Sequence, residues 1–350
     1  MVKVDCLTLP TGAKLPLLGL GTWLAKDEEQ LHTAIKAAID AGYRLFDTAF
    51  LYETEAGVGN ALNDCIQSGK VKREELFITT KLPFTAHSPS DVEKVVAQQL
   101  RTLKVDYIDL YLIHCPCATK HKTGSFAPLV ENGSFAVDNV DHLDTWRALE
   151  ELCKQGKLKA IGLSNFNEEQ IQRIYDHAEI KPHNLQVLYT LEAFNFLLKK
   201  FQVEAHLYFP QKELQEFCKL RNITMTAYAP LGSPGRKVFR PNGFWPEGEP
   251  LKDPVVSVIA SKHKKTPAQI LLKFLVQRGI SAVPKSTNLE HIRENVDIFD
   301  FLLDSDDFIK LDRIEHRVRL FIFDYFGHHP CYPMKDQDTT KFEKVVFESF

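Results

Sequence analysis

Long apolar runs, runs of one charge and paired cysteines are all missing from this 350-residue chain. No apolar stretch approaches the ~18–20 residues that a membrane-spanning helix needs, and the first residues lack the continuous apolar segment of a secretory signal. Lys and Arg number 43 and Asp and Glu number 46, so the net charge is −3, and no basic cluster indicates a nucleic-acid surface. We therefore expect a cytoplasmic protein that binds neither membrane nor nucleic acid.

The seven cysteines are odd in number and form no CxxC pair, a pattern typical of reduced thiols rather than of a disulfide framework. His114, Cys115, Cys117 and His121 place nitrogen and sulfur ligands close together. The short Cys-Pro-Cys spacing does not match the ligand spacing of structural zinc sites. We expect no metal ion.

Short β-branched or aromatic runs alternate with longer helical patterns along the whole chain, eight times in all. The expected strands lie within residues 17–23, 44–48, 76–81, 107–114, 158–164, 183–187, 223–230 and 280–286. These runs are apolar throughout, as strands covered on both faces are, and eight βα units is the number that closes a (β/α)₈ barrel. The alternative is an open doubly wound sheet, but Gly19 and Gly21 lack the third glycine of a dinucleotide-binding GxGxxG. The sequence therefore predicts an α/β fold, a TIM barrel of eight parallel strands with extra helices and a C-terminal loop.

Polar side chains stand at the C-terminal ends of the expected strands, which is the end of such a barrel that carries active sites. They are Asp47, Lys81, His114, Ser164, Asn165, Gln186, Tyr228, Lys285 and Ser286, with Tyr52 in the loop after the second strand. One polar residue at a strand end is most often structural. A whole set that converges on one rim indicates a functional site.

Four of these residues suggest proton donation to an oxyanion. The phenol of Tyr52 starts near pKa 10, and a nearby ammonium such as Lys81, held charged by Asp47, lowers that pKa. Tyr52 can then act as a general acid, while a neutral His114 hydrogen-bonds the same oxygen. No nucleophile is paired with a base, which disfavours hydrolysis. The remaining reaction is hydride delivery to a carbonyl, which requires a nicotinamide cofactor.

Three stretches of the sequence resemble signatures of the aldo-keto reductases. They are GYRLFDTAFLYETEAGVG at 42–59, LKAIGLSNF at 158–166 and AVPKSTNLEHIRENV at 282–296, and the likeness extends from about residue 7 to about residue 330. The resemblance implies a monomeric (β/α)₈ barrel that binds NADPH in an extended form and reduces aldehydes and ketones. It also implies a catalytic tetrad, whose members here are Asp47, Tyr52, Lys81 and His114.

The same resemblance implies which side chains hold the cofactor. Ser164, Asn165 and Gln186 would bind the carboxamide, and Tyr228 would stack on the nicotinamide ring. The other implied residues are Thr22, Trp23 and Asp47 around the nicotinamide riboside, Leu231 and Ser233 along the diphosphate, Lys285, Ser286 and Asn288 at the 2′-phosphate, and Glu294 and Asn295 near the adenine.

His291 departs from the family pattern, which often has Arg at this place. A neutral imidazole pairs with phosphate and stacks on adenine less well than a guanidinium does. Arg293 lies about 200° further around a helix and should not substitute. Lys285 and Ser286 still favour a phosphate, so we expect a preference for NADPH that is weaker than usual and shared with NADH.

Residues 188–203 interrupt the family pattern and look inserted. The dipeptide Gln-Val occurs both at 186–187 and at 202–203, so either Gln186 or Gln202 could be the carboxamide-binding glutamine. Gln186 is favoured because HNLQV reads as the original strand. The segment could be a lid at the catalytic rim, a translated intron or a disruption of the site, and the sequence leaves these alternatives open.

The rest of the chain sets the expected domain and pocket. Residues 1–334 should form one barrel domain, and residues 335–350 a flexible extension. Cys115 and Pro83 stand where relatives often place Trp, which predicts a wider pocket on that side. Aromatic residues expected to line the remainder are Phe126, Phe135, Phe244, Trp245, Phe321, Phe323, Tyr325 and Phe326.

Such a pocket suits a small hydrophobic carbonyl substrate, steroid-like or lipid-derived. Two other functions stay open. One is a hydroxysteroid or alcohol dehydrogenase that runs in the oxidative direction. The other is a catalytically impaired barrel that only binds cofactor, which the inserted segment favours and the intact tetrad disfavours.

Overall fold

The computed structural model describes residues 2–187, 206–208, 212–239 and 245–334. The whole expected insert at 188–203, which includes Gln202, lies outside these residues, as do Phe244 and the expected extension at 335–350. Within the described ranges, no helix is both long and apolar enough to cross a bilayer.

Eight parallel strands form the centre of the molecule, numbered β1 to β8 in chain order. They are Gly19–Gly21, Leu45–Asp47, Phe77–Leu82, Leu110–Ile113, Ile161–Ser164, Asn184–Val187, Thr224–Ala227 and Ile280–Ala282. Each strand pairs in parallel with the next one along the chain. The sheet closes between β8 and β1, where Ala282 N donates to Leu17 O and Gly21 N donates to Pro284 O. The predicted (β/α)₈ barrel is confirmed.

Helices surround this barrel and alternate with its strands, as the sequence pattern predicts. In the described ranges they are α1 Glu28–Ala41, α2 Glu55–Gln67, α3 Pro89–Leu103, α4 His142–Lys154, α5 Glu168–His177, α6 Lys212–Leu220, α7 Arg236–Phe239, α8 Pro254–His263, α9 Pro267–Val276, α10 Leu289–Val296 and α11 Ser305–Asp312. Asp27 begins α1 by accepting a hydrogen bond from Gln30 N, and Thr266 and Gln269 form a capping box at the start of α9. Caps of this kind satisfy backbone N–H groups in the first turn and so fix where these helices begin.

A short hairpin that the sequence did not predict precedes the barrel. Its strands, Cys6–Thr8 and Lys14–Pro16, pair in antiparallel fashion. Leu9 and Leu15 are buried in one cluster with Leu45, Phe77 and Leu110, which are the first residues of their barrel strands. The hairpin therefore fills the N-terminal end of the barrel and leaves the opposite end for chemistry.

The C-terminal segment packs against the long loop that follows β4. His329 Nε2 donates to Ala118 O at 2.8 Å, and His328 Nε2 donates to Phe135 O at 3.1 Å. The ring of Phe326 also lies 5.6 Å from that of Phe135. Loop and C-terminal segment together form a wall beside the C-terminal ends of the strands.

Candidate active site

The four residues of the expected tetrad converge at the C-terminal end of the barrel. Asp47 is the last residue of β2, Lys81 is the next to last of β3, and His114 follows β4 directly. Tyr52 ends a single 3₁₀ turn, Phe50–Tyr52, that comes just after β2. Because the strands are parallel, neighbouring strand ends bring these side chains into contact.

Lys81 is the centre of this group. Its Nζ donates to Asp47 Oδ1 at 2.7 Å, to Thr48 O at 2.9 Å and to Tyr52 OH at 3.4 Å. The side chains of Lys81 and Asp47 are only 1% and 4% exposed. Burial acts to lower the pKa of Lys81, but the neighbouring Asp47 and Tyr52 outweigh it and hold that pKa above its usual value. The lysine therefore stays charged beside the phenol.

Two opposing effects act on the pKa of the Tyr52 phenol. Burial raises its pKa, and the positive charge and hydrogen bond of Lys81 lower it, with burial dominant. The expected lowering by Lys81 is present, but the expected net direction is wrong, because a dry environment penalises the phenolate more than one ammonium stabilises it. Tyr52 is consequently fully protonated at neutral pH and has a proton to give.

His114 completes the group as a neutral ring. Its imidazole meets the Tyr52 ring edge-to-face, with centroids 5.7 Å apart. Burial and the charge of Lys81 lower its pKa well below the usual value, so the ring is neutral as expected. Its Nδ1 is buried and has no hydrogen-bond partner among the described residues. Its carbonyl oxygen accepts a hydrogen bond from Asn165 Nδ2 at 2.8 Å.

Hydroxyl and amide groups flank the tetrad on the side of β5 to β7. Gln186 Nε2 donates to Asp47 Oδ2 at 2.5 Å, and Tyr228 OH donates to Asn165 Oδ1 at 3.0 Å. Asn165 Nδ2 also reaches Ser164 Oγ at 3.2 Å. Gln186 lies within β6 and contacts Asp47 of the tetrad. Gln202 lies outside the described residues, so the preference for Gln186 stays a prediction.

One cavity of about 780 Å³ connects these groups with the rest of the expected cofactor residues. Tyr52 and His114 border it, whereas Lys81 lies beneath them. The expected cofactor residues that border it are Thr22, Trp23, Asp47, Ser164, Asn165, Gln186, Tyr228, Leu231, Ser233, Lys285, Ser286, Asn288, Glu294 and Asn295. The structure thus brings all fourteen to one cavity, and their binding roles stay predictions.

Near α10 the cavity is bordered by the ammonium group of Lys285 and by the first turn of the helix. Lys285 has no carboxylate within ion-pair distance among the described residues, and desolvation lowers its pKa. Asn288 caps α10, its Oδ1 accepting from Glu290 N at 2.8 Å and from His291 N at 3.2 Å, so only its amide nitrogen is left for a ligand. His291 borders the cavity in the first turn of the same helix.

Aromatic rings form the other part of the cavity wall. Those expected from the sequence that do border it are Phe135, Trp245, Phe321, Phe323, Tyr325 and Phe326. Phe126 does not border the cavity, since its ring packs instead against Phe50 and His121. Cys115 and Phe84 also border it. Phe84, which the sequence analysis missed, directly follows Pro83 and lies 5.3 Å from Phe135, ring to ring, so it supplies aromatic surface near the place of the missing Trp.

A buried polar network behind Lys81 was also missed. Glu55 Oε1 accepts hydrogen bonds from Thr80 Oγ1 at 2.5 Å and from Gln99 Nε2 at 2.8 Å. Gln99 lies on the buried face of α3 with Val92 and Val95, and a polar residue on an apolar helix face is the one signal that could have revealed it.

Metal binding gains no support from the described part of the chain. No group of three or more His, Cys, Asp or Glu side chains there is arranged to hold a metal ion. Cys115 and Cys117 are free thiols, and Cys115 Sγ contacts the carbonyl oxygen of Cys117 at 3.9 Å.

Comparison with known proteins agrees with this geometry. A family model described as the Aldo/keto reductase family matches residues 17–316. Aldo-keto reductase family 1 member A1 of Bos taurus is 40% identical over 345 residues, which cover 96% of this chain and 99% of that protein. Aldo-keto reductase family 1 member C18 of Rattus norvegicus is 37% identical over 96% of this chain and 99% of its own length. The structure of the aldose reductase from Schistosoma japonicum superposes with a TM-score of 0.83 at 39% identity, covering 95% of this chain and 99% of that one.

Proposed function

The chain belongs to the aldo/keto reductase family, whose members are NAD(P)H-dependent oxidoreductases acting on carbonyl and alcohol groups, and from this premise we propose that it reduces hydrophobic aldehydes and ketones with NADPH and with Tyr52 as general acid. One observation carries the proposal. The phenol of Tyr52 lies 3.4 Å from the buried, charged Lys81 at a cavity that is walled in part by aromatic rings.

The groups around the cavity suit a phosphorylated nicotinamide dinucleotide. Ser164, Asn165 and Gln186 offer the hydroxyl and amide groups that would hold a carboxamide, and Tyr228 offers a ring for stacking. Lys285 offers an ammonium without a carboxylate partner in the described chain, which favours a phosphate. The bound cofactor would supply the hydride for the reaction.

Tyr52 would donate the proton, and Lys81 would stabilise the phenolate that remains. As the carbonyl carbon becomes tetrahedral, charge develops on its oxygen, and Tyr52 donates its proton there while the O–H electron pair stays on the phenolate. Lys81 stabilises that phenolate, and Asp47 keeps Lys81 charged at a distance of 2.7 Å. One carbonyl, one hydride and one proton give one alcohol. Positioned proton donation of this kind contributes about 10²–10⁴-fold to a rate.

His114 and the aromatic wall would orient the substrate. The neutral imidazole of His114 can donate one ring N–H to the carbonyl oxygen, beside the proton of Tyr52. Phe84, Phe135 and Phe326 provide apolar surface for the substituent on the carbonyl carbon. These walls also exclude water from the place where charge develops, which strengthens the electrostatic effect of Lys81.

Steady-state kinetics test the proposal. The purified chain is assayed with NADPH and with NADH against matched series of aldehydes and ketones that differ in apolar surface, and with NADP⁺ against the corresponding alcohols. We expect kcat/KM for reduction to rise with apolar surface, with NADPH the better cofactor. Alcohol oxidation that exceeds reduction under matched conditions would instead support a dehydrogenase. NADPH binding, followed by quenching of Trp fluorescence, without any turnover would support the impaired barrel.

A further inference from the structure

Four polar side chains form a buried network behind Lys81, and none of them borders the cavity. Glu55, at the start of α2, accepts hydrogen bonds from Thr80 of β3 and from Gln99 of α3. Gln99 Nε2 also reaches Lys81 O at 3.3 Å, and Tyr111 OH of β4 donates to Gln99 Oε1 at 2.7 Å. The network therefore joins α2, α3 and β4 to the strand that carries Lys81.

Glu55 connects the two segments that have to meet for proton donation. Tyr52 lies three residues before it, followed by Glu53 in the left-handed backbone region (φ 56°). Thr80, its partner on β3, immediately precedes Lys81. The 2.5 Å bond between Glu55 and Thr80 thus ties the segment holding the phenol to the strand holding the ammonium. Tyr52 OH, on the first of these segments, and Lys81 Nζ, on the strand, lie 3.4 Å apart.

We propose that Glu55 is a positioning residue of this active site: it fixes Tyr52 against Lys81 through Thr80 and Gln99, and its charge sets how readily Tyr52 gives up its proton. The inference rests on the proposed function, since it assigns Glu55 a part in the same reduction. Glu55 itself touches neither cavity nor substrate.

The charge of Glu55 changes in the neutral range. Burial raises the pKa of Glu55 to about 7, and the hydrogen bonds from Thr80 and Gln99 and the charge of Lys81 offset only part of that effect. The ionisable groups on the barrel side of this carboxyl are Lys81 and, beyond it, Asp47 and Tyr52. Tyr111 lies on its β4 side, and the α3 residue that contacts it, Gln99, is neutral. On the α1 side, the side chain of Glu28 lies beside Gly57 of α2.

The direction of the effect follows from the signs of these charges. A negative Glu55 stabilises the cation of Lys81 and opposes the phenolate that Tyr52 becomes after donating its proton. Tyr52 is then a weaker acid. We therefore expect reductive turnover to fall as the pH rises through about 7 and to reach a lower plateau once Glu55 is ionised.

Two variants separate position from charge. Glu55→Gln keeps an oxygen that accepts from Thr80 and Gln99 but carries no charge at any pH, and Glu55→Ala removes both. Glu150→Gln is the matched control, because Glu150 is also a buried carboxyl, bonded to Ile180 N at 2.8 Å, but lies on α4 and does not border the cavity. Each protein is assayed for kcat and KM with NADPH and one good aldehyde from about pH 6 to 8. Infrared difference spectra over the same range report protonation of the Glu55 carboxyl independently of activity, and thermal unfolding checks the fold.

We expect Glu55→Ala to lower kcat by about 10-fold or more with KM nearly unchanged, and Glu55→Gln to restore kcat and abolish the pH step. The infrared carboxyl band lost near neutral pH should be absent from Glu55→Gln and kept in Glu150→Gln. A folded Glu55→Ala enzyme with wild-type kcat, or a pH step that persists in Glu55→Gln, would overturn this inference and leave the proposed function standing. A wild-type chain that binds NADPH and reduces nothing would overturn both.

Discussion

Lys81 and Asp47 form an ion pair with an N···O distance of 2.7 Å, and both side chains are almost completely buried. A buried pair of this kind is weak evidence for stability, because the loss of hydration offsets most of the attraction between the charges. Its clearest consequence here is chemical. The pair keeps a positive charge within 3.4 Å of the phenol of Tyr52 in a place that would otherwise favour neutral groups.

Asp47→Asn should destabilise the fold and abolish most of the activity. The variant leaves Lys81 buried without a counter-charge, for which we expect a loss of about 3–5 kcal/mol in the free energy of unfolding. The double variant Asp47→Leu with Lys81→Met should recover most of that stability and none of the turnover. Urea denaturation and kcat of the three proteins measure the two effects separately. An Asp47→Asn protein as stable as the wild type would contradict the role given to the pair.

Tyr52→Phe should remove proton donation and little else. The ring stays in place beside His114, so we expect kcat to fall about 100-fold or more while the affinity for NADPH changes less than about twofold. Trp fluorescence quenching measures the affinity, and stopped or steady-state absorbance measures the rate. Tyr175→Phe, on α5 and away from the cavity, is the matched control and should behave as wild type. Near-normal turnover in Tyr52→Phe would show that another group is the acid.

The positions of the tetrad could be predicted because they depend on simple rules. Alternating strand and helix patterns give a parallel barrel, and residues that end neighbouring parallel strands must lie close together. Asp47, Lys81 and His114 satisfy both rules. The hairpin around Leu9 could not be predicted in the same way, because strands of three residues are too short to show a period.

Features that depend on the folded environment of a side chain could not be predicted from the sequence. The raised pKa of Tyr52 follows from how much water the folded cavity excludes, which no local pattern reports. Glu55 reads from the sequence as an ordinary acidic residue in the first turn of a helix. Its role becomes visible only when α2 and α3 pack so that Gln99 meets it. Phe126 was predicted to line the pocket but does not border the cavity. An aromatic loop residue can pack on another side chain, here Phe50, as well as on a substrate.

The choice of cofactor should depend on Lys285. If its ammonium pairs with a 2′-phosphate, Lys285→Met should weaken NADPH binding about 10- to 100-fold and leave NADH binding nearly unchanged. His291→Arg should act in the opposite sense and strengthen the preference for NADPH, because a guanidinium adds a planar, charged partner in the first turn of α10. Dissociation constants for both cofactors, measured at two salt concentrations, test this. Equal losses for NADPH and NADH in Lys285→Met would mean that the lysine does not contact the phosphate.

A buried histidine should make the fold sensitive to acid. Neither ring nitrogen of His87 has a hydrogen-bond partner in the described chain, and burial, with smaller effects of His142 and His329, lowers its pKa to about 3. The unfolded chain takes up a proton at this residue below about pH 6.5, and the folded chain does not. The unfolded state therefore binds more protons over that interval, so the free energy of unfolding falls as the pH decreases.

This contribution is fully present above about pH 6.5 and is lost as the pH falls towards the folded-state pKa, by about 2 kcal/mol between pH 6.5 and 5 for His87 alone. His87→Phe removes the titrating group and keeps an aromatic ring in the buried site. We expect the variant to lose less stability than the wild type when urea denaturation is repeated at the lower pH. His177→Phe, on an exposed ring, should keep the wild-type pH dependence. If His87→Phe and the wild type lose stability equally on acidification, the proton must be taken up by another residue. His142 and His329 are then the next residues to replace, because both are buried and have lowered pKa values.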